Sequence, residues 1–137
     1  MAPSQGEKRM LDHIGFSVSD LDRAKAFYTA ALKPLGIAPL MEVTAEMTGG
    51  ADAFIGFGRE RPQFWISTGA RHLPGVHVAF TADSRAMVDA FHEAAVAAGG
   101  TDNGAPGLRP HYHPDYYGAF VRDPDGHNIE AVCHRPA

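Results

Sequence analysis

Shifted by 64 residues, the chain matches itself without a gap. His13-Ile14-Gly15-Phe16 falls on His77-Val78-Ala79-Phe80, Ala26-Phe27 on Ala90-Phe91, Ala30-Ala31 on Ala94-Ala95 and Gly36 on Gly100, seven identities in 24 positions. One unit has been used twice. Both copies open with a histidine at the same point of the same strand. Internal two-fold symmetry would bring these two imidazoles towards one axis, where facing histidines can hold a metal ion.

The pattern within each copy is the same. From Leu11 to Val18, Ile14, Phe16 and Val18 share one side of a strand, while Leu11, His13, Gly15 and Ser17 share the other. Ser19 or Asp20 then caps a helix carrying Leu21, Ala24, Phe27, Tyr28, Ala31, Leu32 and Leu35 at helical spacing, stopped by Gly36. In the second copy Val76, Val78 and Phe80 face the helix, Asp83 or Ser84 caps, and Val88, Phe91, Ala95 and Ala98 form the stripe before Gly99-Gly100. Strand-like runs follow at about residues 37–43, 51–58 and 62–68, and later near Thr101, at 117–122 and at 128–134. A Gly/Pro/His-rich connection fills 103–114, and Asp123-Pro124-Asp125-Gly126 signals a hairpin turn. Each half reads strand, helix, then about three strands. The expected fold is α+β: two tandem βαβββ modules forming a curved mixed sheet, with the helices outside and the histidine faces inside.

The 137 residues suit one domain, expected over 11–134 with modules at about 11–70 and 75–134, after a flexible tail over 1–10. No apolar run approaches a membrane span. A net charge of −4 without a Lys/Arg block offers no footprint for nucleic acid or an anionic membrane, so a small-molecule partner is expected. The single cysteine, Cys133, fits a reducing compartment, and the cytoplasm is the expected location.

In the last strand Asn128, Glu130, Val132 and His134 share a face. Glu130 thus places a carboxylate near the end of one half, as His13 and His77 place imidazoles near the beginnings. Two imidazoles and a carboxylate suit one divalent ion, Fe, Mn, Zn or Ni, with positions left for water and substrate. In Arg109-Pro-His-Tyr-His-Pro-Asp-Tyr-Tyr117, His111 or His113 can serve as general acid/base and Tyr116 or Tyr117 can orient substrate. Trp65 is either a pocket wall or core.

Three segments carry a family resemblance: Leu11-Asp-His-Ile-Gly-Phe-Ser-Val-Ser-Asp20 with Ala26-Phe27-Tyr28; His77-Val-Ala-Phe80; and Phe120-Val-Arg-Asp-Pro-Asp-Gly-His-Asn-Ile-Glu130. They resemble the vicinal oxygen chelate superfamily of glyoxalases, bleomycin-resistance proteins, fosfomycin-resistance transferases and extradiol dioxygenases. The resemblance implies paired βαβββ modules, metal ligands at His13, His77 and Glu130, and a homodimer. Glyoxalase I has a second Glu at the end of its first module, where this chain reads Gln63-Phe-Trp-Ile-Ser-Thr68, and the 64-residue shift sets Ile66 opposite Glu130. Extradiol dioxygenases tend to carry a Tyr ten residues before the Glu, where this chain has Phe120. The implied function is a divalent-metal-dependent, glyoxalase-like enzyme acting on a small oxygen-containing substrate, with lyase, isomerase, transferase and dioxygenase chemistry all open. The alternative is a metal-free sequestering protein of the bleomycin-resistance type.

Overall fold

The computed structural model describes residues 11–50, 52–71 and 75–137. The expected N-terminal tail lies outside the described residues, as does His72, which the sequence offers only as a structural or surface histidine. The first module runs β1 (Ile14–Val18), α1 (Leu21–Leu32), a 3-10 turn (Lys33–Leu35), β2 (Ala38–Val43), β3 (Phe54–Gly58) and β4 (Phe64–Thr68). The second runs β5 (His77–Thr81), α2 (Arg85–Ala97), β6 (Thr101–Leu108), β7 (Tyr117–Arg122) and β8 (Asn128–Cys133).

Both modules have the same topology. The sheets are four-stranded, ordered β1-β4-β3-β2 and β5-β8-β7-β6, with the first strand of each parallel to the last. The two-module α+β plan stands; the strands hydrogen-bond within modules, as two sheets and not one continuous sheet. Asp20 caps α1 by accepting from the Arg23 amide at 3.0 Å, and Ser84 caps α2 by accepting from the Met87 amide at 3.2 Å. Gly36 ends the first helical stretch with φ of 76°, which only glycine adopts without strain.

A single core unites the modules. α1 packs against α2, and Phe27, Tyr28, Ala31, Leu32, Val88, Phe91 and Ala95 are buried with Phe16, Val18, Ile66, Val121, Ile129 and Ala131 from the strands. The strand alternation read from sequence thus assigns the helix-facing sides, with one exception. Ile14 is exposed, because it opens edge strand β1 ahead of the stretch that α1 covers. The Gly/Pro-rich stretch after Thr101 also departs from the expected loop, since β6 continues to Leu108. It is an edge strand with register shifts around Gly104, where Pro106 and the glycines are tolerated.

The Asp123–Gly126 turn of the second module docks on the first. Asp123 is buried and accepts from the Asp125 and His127 amides, both at 2.9 Å, and from the Tyr28 hydroxyl. Asp125 accepts from the Ser19 amide and hydroxyl at 2.7 and 2.5 Å. Burial opposes ionisation of Asp125, but the Ser19 bonds outweigh it and hold its carboxyl below the usual range. Burial and then the Asp123 charge push the Tyr28 phenol well above its ordinary value. The expected stability profile follows from both signs. Asp125 contributes in full above its unfolded pKa near 3.8 and loses this as pH falls through the lower folded value. Tyr28 contributes below its unfolded pKa near 10 and loses this at higher pH. Denaturant titrations of Tyr28→Phe should therefore show a smaller stability decline above about pH 10 than those of wild type, the remainder coming from Tyr116 and Tyr117, whose phenols are also pushed up.

Candidate active site

The face of the second sheet turned away from α2 collects the functional groups. In the β5–β8 register Ala79 lies opposite Glu130 and His77 opposite Asn128, so His77 is the diagonal neighbour of Glu130. His77 Nε2 and Glu130 Oε1 are 2.9 Å apart. The Glu130 side chain is 2 % exposed and that of His77 53 %, so a buried carboxylate meets the medium through an imidazole. The other carboxylate oxygen accepts from the Tyr116 hydroxyl. A Cβ at Gly118 would lie 3.3 Å from that oxygen and 3.2 Å from the Tyr116 ring, so glycine keeps the contact uncrowded. Burial, followed by the bond to Glu130, pushes the Tyr116 phenol well up, and at neutral pH it stays a donor. Tyr112 and Phe120 complete a pocket of about 210 Å³ with these three residues.

His13 stands elsewhere. It is exposed just before β1, with Nδ1 2.8 Å from Asp12 Oδ2, while Arg61 donates to Asp12 Oδ1 at 2.8 Å. These two bonds, His13's first, hold the Asp12 carboxyl below its usual range. His13 and His77 both line a cleft of about 340 Å³ between the modules, but Glu130 is not among its walls. Among the described residues no three His, Cys, Asp or Glu side chains converge as a metal site.

The strand registers correct one correspondence between the copies. Gly15 pairs with Trp65 as Ala79 pairs with Glu130, so the residue equivalent to Glu130 is Trp65 and not Ile66. The second module carries one residue more before its last strand than the ungapped shift allows, and Ile66 points into the core.

The loop residues divide. Tyr117 shares the parity of buried Ala119 and Val121; its hydroxyl donates to Asp89 of α2 at 2.6 Å and Arg85 lies over its ring, away from Glu130. Tyr116 has the opposite parity, that of Gly118 and Phe120, which brings it to Glu130. This period-2 rule was the available signal. His113 Nδ1 accepts from the Asp115 amide at 3.0 Å and its ring rests on His134, while the His111 ring rests on Tyr112. Neither His touches the His77–Glu130 pair. Arg109, which the sequence does not single out, braces the connection by donating to the carbonyls of Ala105, Gly107 and Gly118 at 2.9, 2.7 and 2.8 Å.

Comparison with known proteins places this geometry. The family model described as Glyoxalase/Bleomycin resistance protein/Dioxygenase superfamily matches residues 10–131. A glyoxalase/bleomycin resistance protein from Albidiferax ferrireducens T118 is similar in structure, with a TM-score of 0.75 and 34% identity over 93% of this chain and 100% of that one. Glyoxalase I from Zea mays shares the fold at a TM-score of 0.67 and 21% identity, over 93% of this chain and 45% of the maize chain. A curated protein of Brassica oleracea var. gemmifera named "Putative lactoylglutathione lyase" is 30% identical over 98% of this chain and 47% of its own length. The chain spans about half the length of that relative. No helix among the described residues is long and apolar enough to cross a membrane.

Proposed function

Since this chain belongs to the glyoxalase/bleomycin resistance protein/dioxygenase superfamily, we propose that it is a glyoxalase-like enzyme that uses one divalent metal ion (Fe, Mn, Zn or Ni) on a small oxygen-containing substrate. The observation that carries this reading is the 2.9 Å separation of His77 Nε2 and Glu130 Oε1. An imidazole nitrogen and a carboxylate oxygen this close are donors of the kind that would hold one divalent ion together. His13 would be the third ligand. Its Nδ1 is engaged by Asp12, the outer-shell pattern that leaves Nε2 to face an ion.

One chain does not bring His13 to Glu130, and the proposal assigns that meeting to a homodimer, in which His13 of one copy completes the pair of the other. The exposed Leu11 and Ile14, beside His13 at edge strand β1, are apolar side chains that such an assembly would cover. A mixing experiment tests it. His13→Ala and Glu130→Gln should each lose metal, whereas heterodimers formed by refolding the two variants together should recover metal at one site of the two. Failure to recover any metal would overturn the shared site.

When bound, the ion supplies Lewis acidity to substrate oxygens. The chain's own groups supply the rest. Glu130 offers Oε1 because Tyr116 holds Oε2 in place, and Tyr116 keeps its proton beside the pocket. His111 and His113, the proton carriers expected from the sequence, lie at the outer rim on Tyr112 and His134, where closure of a second copy would bring them nearer to substrate. Asp12 fixes the His13 ring, with Arg61 fixing Asp12. Asp12→Asn should therefore weaken metal binding by about 10- to 100-fold, measured by competition with a chelating dye, without changing subunit association. The reaction would proceed in the cytoplasm, where a thiol such as the buried Cys133 stays reduced.

A further inference from the structure

The dipeptide Asn-Gly occurs once in the chain, at Asn103-Gly104, and strand β6 is irregular there. Its ladder with β7 pairs Asp102 with Val121 and Gly104 with Phe120, so Asn103 is the extra residue of a bulge in an edge strand, and it is exposed. The Gly104 amide donates to Asp102 Oδ1 at 3.0 Å, and His92 Nε2 lies 2.8 Å from the same oxygen. These two bonds, the histidine's first, hold the Asp102 carboxyl below its usual range, so it is charged at neutral pH. Gly104 has a φ of 152°, and a Cβ there would come 3.0 Å from Phe120 Cδ1 and 3.1 Å from Arg109 Nη2. The nitrogen that follows Asn103 therefore belongs to a residue with no side chain to shield it, and a carboxylate sits on its proton.

We propose that Asn103 is a site of spontaneous modification, at which Asp102 acts as general base for cyclisation of the Asn103 side chain onto the Gly104 nitrogen. Asp102 takes the Gly104 amide proton and the nitrogen bonds to Asn103 Cγ. The Cγ–Nδ2 bond breaks, and ammonia leaves with the proton that Asp102 took up. The product is a five-membered cyclic imide. Water opens it at Cγ to aspartate or at the backbone carbonyl to isoaspartate, and either product puts a negative charge where a neutral amide stood. The bulge suits this step, because Asn103 can turn towards the next nitrogen without breaking a ladder pair of its own. Its side chain has one bond to release, from Nδ2 to Asn128 Oδ1 at 3.1 Å. The reaction needs neither metal nor substrate, so its outcome is independent of the proposed metal function.

Ageing the intact protein in mildly alkaline buffer tests the inference. Ion exchange should resolve a growing acidic form, and peptide mapping should place the gained mass unit and the isoaspartate at residue 103. The native protein should convert faster than the same chain denatured in urea at the same pH, since only the fold holds Asp102 on the Gly104 amide. Asp102→Asn keeps an acceptor for that amide but removes its basicity, and should slow conversion at residue 103 by about 100-fold, the lower end of what a positioned base supplies. Circular dichroism and the denaturation midpoint of the variant should match those of wild type. Asn103→Gln should abolish the acidic form. Conversion no faster in the native protein than in urea, an unchanged rate in Asp102→Asn, or an acidic form that persists in Asn103→Gln would each overturn the inference.

Discussion

Glu130→Gln is expected to abolish binding of the proposed divalent metal ion. The substitution keeps side-chain length and leaves an amide that can still meet His77 and Tyr116, so the fold should survive and any loss can be assigned to the charge. A carboxylate ligand contributes both a bond and neutralisation of the ion, and loss of a mere outer-shell partner already costs about 10- to 100-fold in affinity. Removal of the proposed ligand's charge should cost more than that upper figure, and elemental analysis after gel filtration should find the variant empty where wild type is expected to hold close to one ion per chain. His77→Ala should behave the same way. If Glu130→Gln leaves metal content, ligand affinity and turnover all unchanged, the protein is better read as one that sequesters a small molecule without using that carboxylate.

The largest expected loss of stability comes from Asp123→Ala. The carboxylate serves two backbone amides and the Tyr28 hydroxyl in a buried position, and alanine can serve none of them. Each buried donor left unmade costs about 1–3 kcal/mol, so the variant should lose roughly 3–5 kcal/mol once some relaxation is allowed. A fall of roughly 10 °C or more in Tm would follow for a domain of this size. A decrease under about 1 kcal/mol in chemical denaturation would show that the turn is held by other means. Tyr28→Phe should cost less, because it removes one donor together with its own need for a partner.

What sequence made visible here is what repeats. The duplicated strand and helix patterns narrowed each cap to two neighbouring residues and identified both apolar stripes and the faces on which His77 and Glu130 lie, because period and parity are local properties of the chain. Two kinds of information were not local. The ungapped shift placed Ile66 opposite Glu130, since it could not register the extra residue before β8 that makes Trp65 the true counterpart. The choice between Tyr116 and Tyr117 turned on which side of the second sheet carries Glu130: Tyr116, with the parity of Gly118 and Phe120, meets Glu130, and Tyr117, with that of Ala119 and Val121, meets Asp89. Edge strand β6 was hidden because Pro106 and its glycines read as loop, and only its place at the sheet margin makes them acceptable.

The bonds from Asp123 to Tyr28 and from Asp125 to Ser19 also bear on how the molecule comes apart. Copies made by duplication can remain separate foldons, each opening at its own free energy. Here the last turn of the second copy completes the start of the first copy's helix, across 95 to 106 residues of chain. Amide exchange in α1 and in the β7–β8 turn should therefore slow and quicken together as denaturant is varied, as one cooperative unit. A fragment ending near residue 70 would lack its closing piece and is expected not to fold by itself.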